Sequence, residues 1–258
     1  MKKILKNSGV AVSLALVPAL SSAEMYWSDN SITVLHGSDY YNVSHAFGDP
    51  NKDLEITTLT LEHASGHDWG DVFFFMDRHH GKGAAGDFNE TYAELSPRLS
   101  LSNLTGQTLS VGPMKDVFLA MTYEMGSTST GFSQDNYLYG IGFSWDVPGF
   151  AFLKTNISYS VNDNVKDDIQ LNVGYGVPFS LGEVDFMFDG YIDWSSAESD
   201  HASDFHFNPQ LRVDVGKFVG ITKSKLEVGF EYSYWNNKYG VKSSDTESAF
   251  SAIMKYHL

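Results

Sequence analysis

A chain of 258 residues with 32 Asp and Glu against 17 Lys and Arg carries a formal net charge of −15. That balance argues against nucleic-acid binding, which wants a basic face, and the absence of cysteine leaves no disulfide scaffold. Aromatic residues make up 14% of the chain, with 14 Tyr and 5 Trp, a supply suited to membrane-interface girdles.

The first residues set the compartment. Lys2, Lys3 and Lys6 form a basic start, Val10 to Leu20 is a short apolar run, and Ser21, Ser22 and Ala23 offer small residues for cleavage. This pattern predicts an export signal peptide over 1–23 and a single mature domain over 24–258, starting near Glu24. The remaining sequence divides into twelve alternating segments separated by turn chemistry. They run over 31–41, 54–64, 70–80, 90–102, 115–126, 135–147, 150–162, 167–178, 182–194, 204–216, 223–236 and 246–258. Each is long enough to cross a bilayer when tilted. Short connectors at 147–149, 179–182 and 217–222 follow even-numbered segments. Longer polar connectors at 81–89, 195–203 and 236–245 follow odd-numbered ones. An even count with this turn/loop asymmetry predicts an all-β, 12-stranded antiparallel transmembrane barrel of the outer-membrane type, with both termini on the periplasmic side.

Alternation within the ninth segment shows what is at stake. Val184, Phe186, Phe188, Ile192 and Trp194 share one face; Asp185, Asp189, Tyr191 and Asp193 share the other. In a soluble sandwich the apolar face would be the core. In a membrane barrel it meets lipid, and the polar face lines an aqueous lumen. The tenth segment repeats the pattern, with His206, Gln210, Arg212 and Asp214 on its polar face.

Specific motifs cluster around the fourth and fifth segments. Residues 94–104 read ELSPRLSLSNL and 109–116 read LSVGPMKD; Phe118-Leu119-Ala120 then leads to Tyr123-Glu124-Met125-Gly126. Further matches are Asp68 to Asp77, Tyr137 to Gly142 and Asp189 to Trp194. In order and spacing this set resembles the Tsx-type nucleoside-specific channels, which include the OmpK-like proteins. The resemblance spans about Ser31 to Asp214 and thins out from Gly216 onward. It implies a monomeric barrel with a narrow lumen, conducting nucleosides across the outer membrane of a Gram-negative cell. One departure is the end of the chain: Tyr256 and Leu258 keep the alternation, but the terminal Phe that barrel-assembly machinery commonly reads is absent.

A nucleoside path needs aromatic faces for the base and hydrogen-bonding groups for the sugar. Base–aromatic stacking is worth roughly 1–3 kcal/mol per base, and conduction needs several weak stations rather than one tight one. Parity puts Asp71, Phe73, Phe75 and Asp77 on one face of the third segment; the opposite choice sends Phe73 and Phe75 to lipid beside Phe74 and Met76. In the fourth, Tyr92, Glu94 and Arg98 share a face. Arg98 must be luminal, because a lipid-facing Arg near the midplane costs about 2–4 kcal/mol; it also reads as a brace that neutralises luminal acids. Lys154, Asp185, Asp189, Tyr191, Asp193, His206, Arg212 and Glu231 complete the candidate path. Pro97 and Pro209 are misfits within strands unless they mark a bulge or a break in the ladder.

The histidines invite a metal or catalytic reading, with Asp77, His79 and His80 crowded together and His63, His67 and Asp68 nearby. No ligand spacing or Ser–His signature organises them. They read as exposed loop residues, and no cofactor, metal or enzyme activity is expected. Two further readings stay open: a less selective small porin, and a closed structural or receptor barrel whose loops bind partners such as phage.

Overall fold

The computed structural model describes residues 24–41, 54–83, 86–242 and 246–258; the expected signal peptide lies outside the described residues. Twelve strands form one closed antiparallel barrel: β1 Met25–Tyr40, β2 Leu54–His67, β3 Gly70–Gly83, β4 Gly86–Ser100, β5 Met114–Thr128, β6 Ser133–Trp145, β7 Phe152–Val161, β8 Asp168–Leu181, β9 Val184–Ser195, β10 Asp204–Asp214, β11 Leu226–Asn236 and β12 Glu247–His257. Closure is made by β1 against β12, from Ser31↔His257 to Ser38↔Phe250. It leaves no unpaired edge for another chain to extend. β1 begins and β12 ends at the same end, here called the terminal end; odd-numbered strands run away from it.

Burial along the strands is inverted relative to a soluble fold. The exposed positions are Ile32, Val34, Leu59, Leu61, Ile141, Ile157, Leu211, Phe230 and Met254, with Phe230 at 65% exposure. The buried ones are Ser31, Thr33, Thr58, Thr60, Ser158, Ser160 and Ser251, together with Arg98 and Arg212 at 3% each. Since strand side chains alternate between faces, the strands turn most of their large apolar side chains outward to lipid and most of their polar ones into the lumen, with Leu35, Phe118, Leu138 and Ile253 among the apolar exceptions buried inside. Many inner side chains are buried against their luminal neighbours.

The two prolines receive a common explanation. Pro97 pairs with Val72 on the β3 side, but Ser96 and Pro97 have no register partner on β5, although pairing resumes at Leu95↔Tyr123 and Arg98↔Ala120 in one unshifted register. Pro209 behaves alike: it pairs with Gly190 of β9, while Asn208 and Pro209 drop out of the β11 ladder between Phe207↔Tyr234 and Gln210↔Glu231. Each is a break in the ladder, not a bulge. Ser96 Oγ and Thr122 Oγ1, 3.0 Å apart, bridge the first gap with side chains.

One expected loop is corrected. Residues 81–89 are polar, yet β3 and β4 pair through most of them, down to Gly83↔Gly86. Strands that project beyond the bilayer need no apolar face, so polarity there does not signal a loop. At the terminal end the motif-rich connector between β4 and β5 is the elaborate one. Ser100 caps a short helix, α1 (Leu101–Thr105), by accepting from the Asn103 backbone N–H at 3.1 Å. Ser100 and Ser102 both donate to Asp116, each at 2.5 Å. Gly112 supplies the turn's positive φ of 57°. The SLS and GPMKD runs thus meet in one hydrogen-bonded knot.

Candidate functional site

Two levels of chemistry are stacked along the lumen. The level nearer the terminal end is made of matched ion pairs. Arg98 grips Asp71 with two hydrogen bonds, Nε to Oδ1 at 2.9 Å and Nη2 to Oδ2 at 2.6 Å. Lys154 of β7 reaches the same carboxylate at 3.4 Å, four strands away from β3, so this contact spans a chord of the lumen. Arg98 also lies 4.3 Å from the Phe118 ring centroid. On the opposing wall Arg212 holds Asp189 through both terminal nitrogens, at 2.6 and 2.7 Å, and Glu227 through Nε at 2.7 Å. Lys255 reaches past β1 to Glu62 at 2.7 Å, and His257 meets Asp29 at 2.9 Å. Bidentate guanidinium–carboxylate geometry of this kind is the strong form of the interaction.

Farther from the terminal end the inner strand faces carry acids that no cation among the described residues pairs with. On β3 the acid beyond Asp71 is Asp77; on β4, beyond Arg98, it is Glu94; on β9, beyond Asp189, Asp193; on β11, beyond Glu227, Glu231. Glu124 of β5 stands directly opposite Glu94 in the register. Among the described residues none of these carboxyl groups has an ion pair. Each is met instead by a neutral donor: Thr60 to Asp77 at 2.5 Å, Tyr92 to Glu94 at 2.7 Å, Asn136 to Glu124 at 3.0 Å, Asn172 to Asp193 at 2.5 Å and Gln210 to Glu231 at 2.7 Å.

Aromatic rings line this same acidic level on two walls. Phe73 and Phe75 sit opposite Ser96 and Glu94 in the β3–β4 register, on the inner face of Arg98. The choice between lumen and lipid for these two rings therefore falls to the lumen, and Phe74 and Met76 turn outward. Phe73, Phe75 and Tyr92 form a ladder with centroid separations of 5.9 and 5.8 Å. A second ladder joins Tyr191, His206, Trp235 and Tyr239, at 5.1, 4.0 and 4.6 Å in turn. β4 and β10 are six strands apart in a ring of twelve, so the two ladders face one another across the lumen.

At the far mouth the β11–β12 loop folds inward. Asn237 and Tyr239 adopt positive φ of 49° and 58°, and the intervening Lys238 is buried. Its ammonium pairs with Glu247 and lies 4.9 Å from the Trp235 ring centroid, 5.4 Å from Tyr239 and 5.8 Å from Tyr40. Glu247 is only 1% exposed and also accepts from Ser233 Oγ at 2.7 Å and the Tyr41 backbone N–H at 2.9 Å.

The candidate residues named from sequence separate into these levels. Asp71, Arg98, Lys154, Asp189 and Arg212 fall in the ion-paired level. Phe73, Phe75, Asp77, Tyr92, Glu94, Tyr191, Asp193, His206 and Glu231 fall in the acidic, aromatic one. Asp185 does not join either. It lies next to the β8–β9 turn at the terminal rim, paired to Lys223 at 2.8 Å. His79, grouped with the loop histidines, lies inside β3, where its Nδ1 is 2.7 Å from Thr58 Oγ1. Glu62, Glu124, Trp235, Lys238 and Lys255 belong to the lining and were not singled out. For Glu62, Glu124, Trp235 and Lys255, strand parity was the available signal. Lys238 had none, since a loop has no parity. No metal-holding cluster occurs among the described residues.

A family model for the nucleoside-specific channel-forming protein Tsx matches residues 27–257. The chain belongs to the Tsx family. The match runs through the segment after Gly216, where the short motifs thin out. Similar curated proteins include outer membrane protein OmpK of Vibrio parahaemolyticus serotype O3:K6, 26% identical over 93% of this chain and 94% of that one. The nucleoside-specific channel-forming protein Tsx of Escherichia coli O157:H7 is 26% identical over 76% of this chain and 73% of its own length. Among solved structures, the KdgM porin is similar at a TM-score of 0.48 and 10% identity, covering 88% of this chain and 98% of that one. Family membership and the inverted barrel together make this a channel-type protein of the outer membrane.

Proposed function

We propose that the chain conducts nucleosides by facilitated diffusion. The observation that carries this reading is the pair of facing aromatic ladders at a level whose five central carboxyl groups, Asp77, Glu94, Glu124, Asp193 and Glu231, have no ion pair among the described residues. A flat base passes between Phe73–Phe75–Tyr92 and Tyr191–His206–Trp235, gaining stacking from either wall. The ribose hydroxyls donate to Asp77, Glu94, Asp193 and Glu231. Each station is weak and there are several, which suits passage rather than capture. The same acids repel a phosphate, so nucleotides are excluded by charge while nucleosides pass. The ion-paired level below braces the wall and presents a balanced field, which favours dipolar solutes over simple ions.

Flux into liposomes holding the refolded barrel tests this. Adenosine should enter faster than a sugar of similar mass, and adenosine 5′-monophosphate should be held back. Equal rates for adenosine and sugar would make the protein a general small porin. No flux of any solute would make it a closed barrel whose loops serve a partner.

A further inference from the structure

We infer that the acidic level of the lumen is also a binding path for amine-bearing organic cations, a substrate class distinct from the neutral nucleosides proposed above. It rests on the lumen geometry and not on nucleoside selectivity.

Charge segregation is the first support. The ion-paired level is close to neutral, because its carboxylates meet Arg98, Lys154, Arg212 and Lys255. The acidic level has no such compensation. Among the described residues Asp77, Glu94, Glu124, Asp193 and Glu231 are met only by neutral donors, and Glu94 faces Glu124 across adjacent strands, an arrangement that normally destabilises a sheet. A carboxyl group in the lumen retains acceptor capacity beyond one neutral hydrogen bond. A mobile cation would meet that capacity and relieve the repulsion.

Two further observations point to an ammonium. First, Asn208 is only 5% exposed, stands on the inner face opposite Tyr191, and its Oδ1 has no partner among the described residues. The same side chain is hydrogen-bonded to Glu231, which places this acceptor among the acids. An unmet buried acceptor costs about 1–3 kcal/mol, and a donor-rich ammonium is a group that would satisfy it. Second, the chain already holds one ammonium at the top of this level. Lys238 is boxed by Tyr40, Trp235 and Tyr239 and paired with Glu247. Cation–aromatic contact with a carboxylate beside it is the recognition mode used for free ammonium ligands. Lys238 is thus a tethered example of the ligand class, and the acids below it are the next stations for an untethered one.

The test uses refolded wild-type barrel with spermidine as the probe. Calorimetric titration of spermidine should show binding, and reversal potentials in a KCl gradient should show K+ preferred over Cl− by about tenfold or more, the scale on which a charged cleft concentrates its counter-ion. Glu94→Gln with Glu124→Gln should weaken spermidine binding about tenfold or more. These are isosteric changes that remove a like-charge opposition, so folding should survive. A reversal potential near zero in the wild type overturns the inference without any variant. Spermidine binding unchanged in the double variant overturns it as well. Spermidine binding without any effect of adenosine on flux or current would leave the cation path standing and remove the nucleoside reading instead.

Discussion

Glu94 and Arg98 project from the same face of β4, four positions apart, about 13 Å along a strand at about 3.3 Å per residue. Arg98 is clamped: two bonds to Asp71, with Phe118 against it. Glu94 is met by a phenol and faced by a second carboxyl group. Arg212 and Glu231 repeat the contrast on the opposing wall. One level spends its charge internally and is structural; the other leaves its charge available. Within one lumen, stability and recognition are separated by height; the Pro97 break lies between the two levels on β4, and the Pro209 break lies at the acidic level on the opposing wall.

That separation can be broken from the lower level first. Arg212→Ala strands Asp189 and Glu227 together and should cost about 3–5 kcal/mol, the penalty for removing one partner of a buried ion pair. Urea unfolding followed by tryptophan fluorescence reads it. Ile141→Lys puts a cation on the lipid face, where Ile141 is 52% exposed. It should cost about 2–4 kcal/mol if that position lies near the midplane, whereas a lysine at the luminal Ser158 should cost less. Glu94→Gln is the sharpest contrast with Arg212→Ala. It should leave stability unchanged or raise it by roughly 0.2–1 kcal/mol, because the directly opposed Glu124 loses a like charge. A loss of stability there comparable to Arg212→Ala would erase the distinction between the levels.

Much of this was legible in the sequence, and the reason is parity. A strict period of two tells which residues share a face, and an Arg such as Arg98 decides which face is wet. Strand β9 shows it plainly: Asp189, Tyr191 and Asp193 line the lumen while Phe188 and Trp194 are exposed outside. What parity withholds is partnership. Lys154 and Asp71 are separated by four strands, and Glu62 and Lys255 lie on β2 and β12, on either side of the β1–β12 closure, so only barrel closure reveals them. Parity also falls silent in loops. Lys238 enters the mouth through an irregular turn with two non-glycine positive φ angles, for which no periodic signal exists. The division into two levels was invisible for a related reason: listed together, the luminal acids look alike, and only the ladder register sorts the paired from the unpaired.

The central claim is that the aromatic ladder at the acidic level is the nucleoside path. Single-channel current recorded during adenosine titration, in the wild type and in Phe73→Ala with Phe75→Ala, tests it most directly. The account predicts that adenosine lowers the wild-type current. The double variant should keep its ion conductance and lose affinity for adenosine about tenfold or more, given roughly 1–3 kcal/mol per stacked base. Adenosine block of equal strength in both proteins would contradict it.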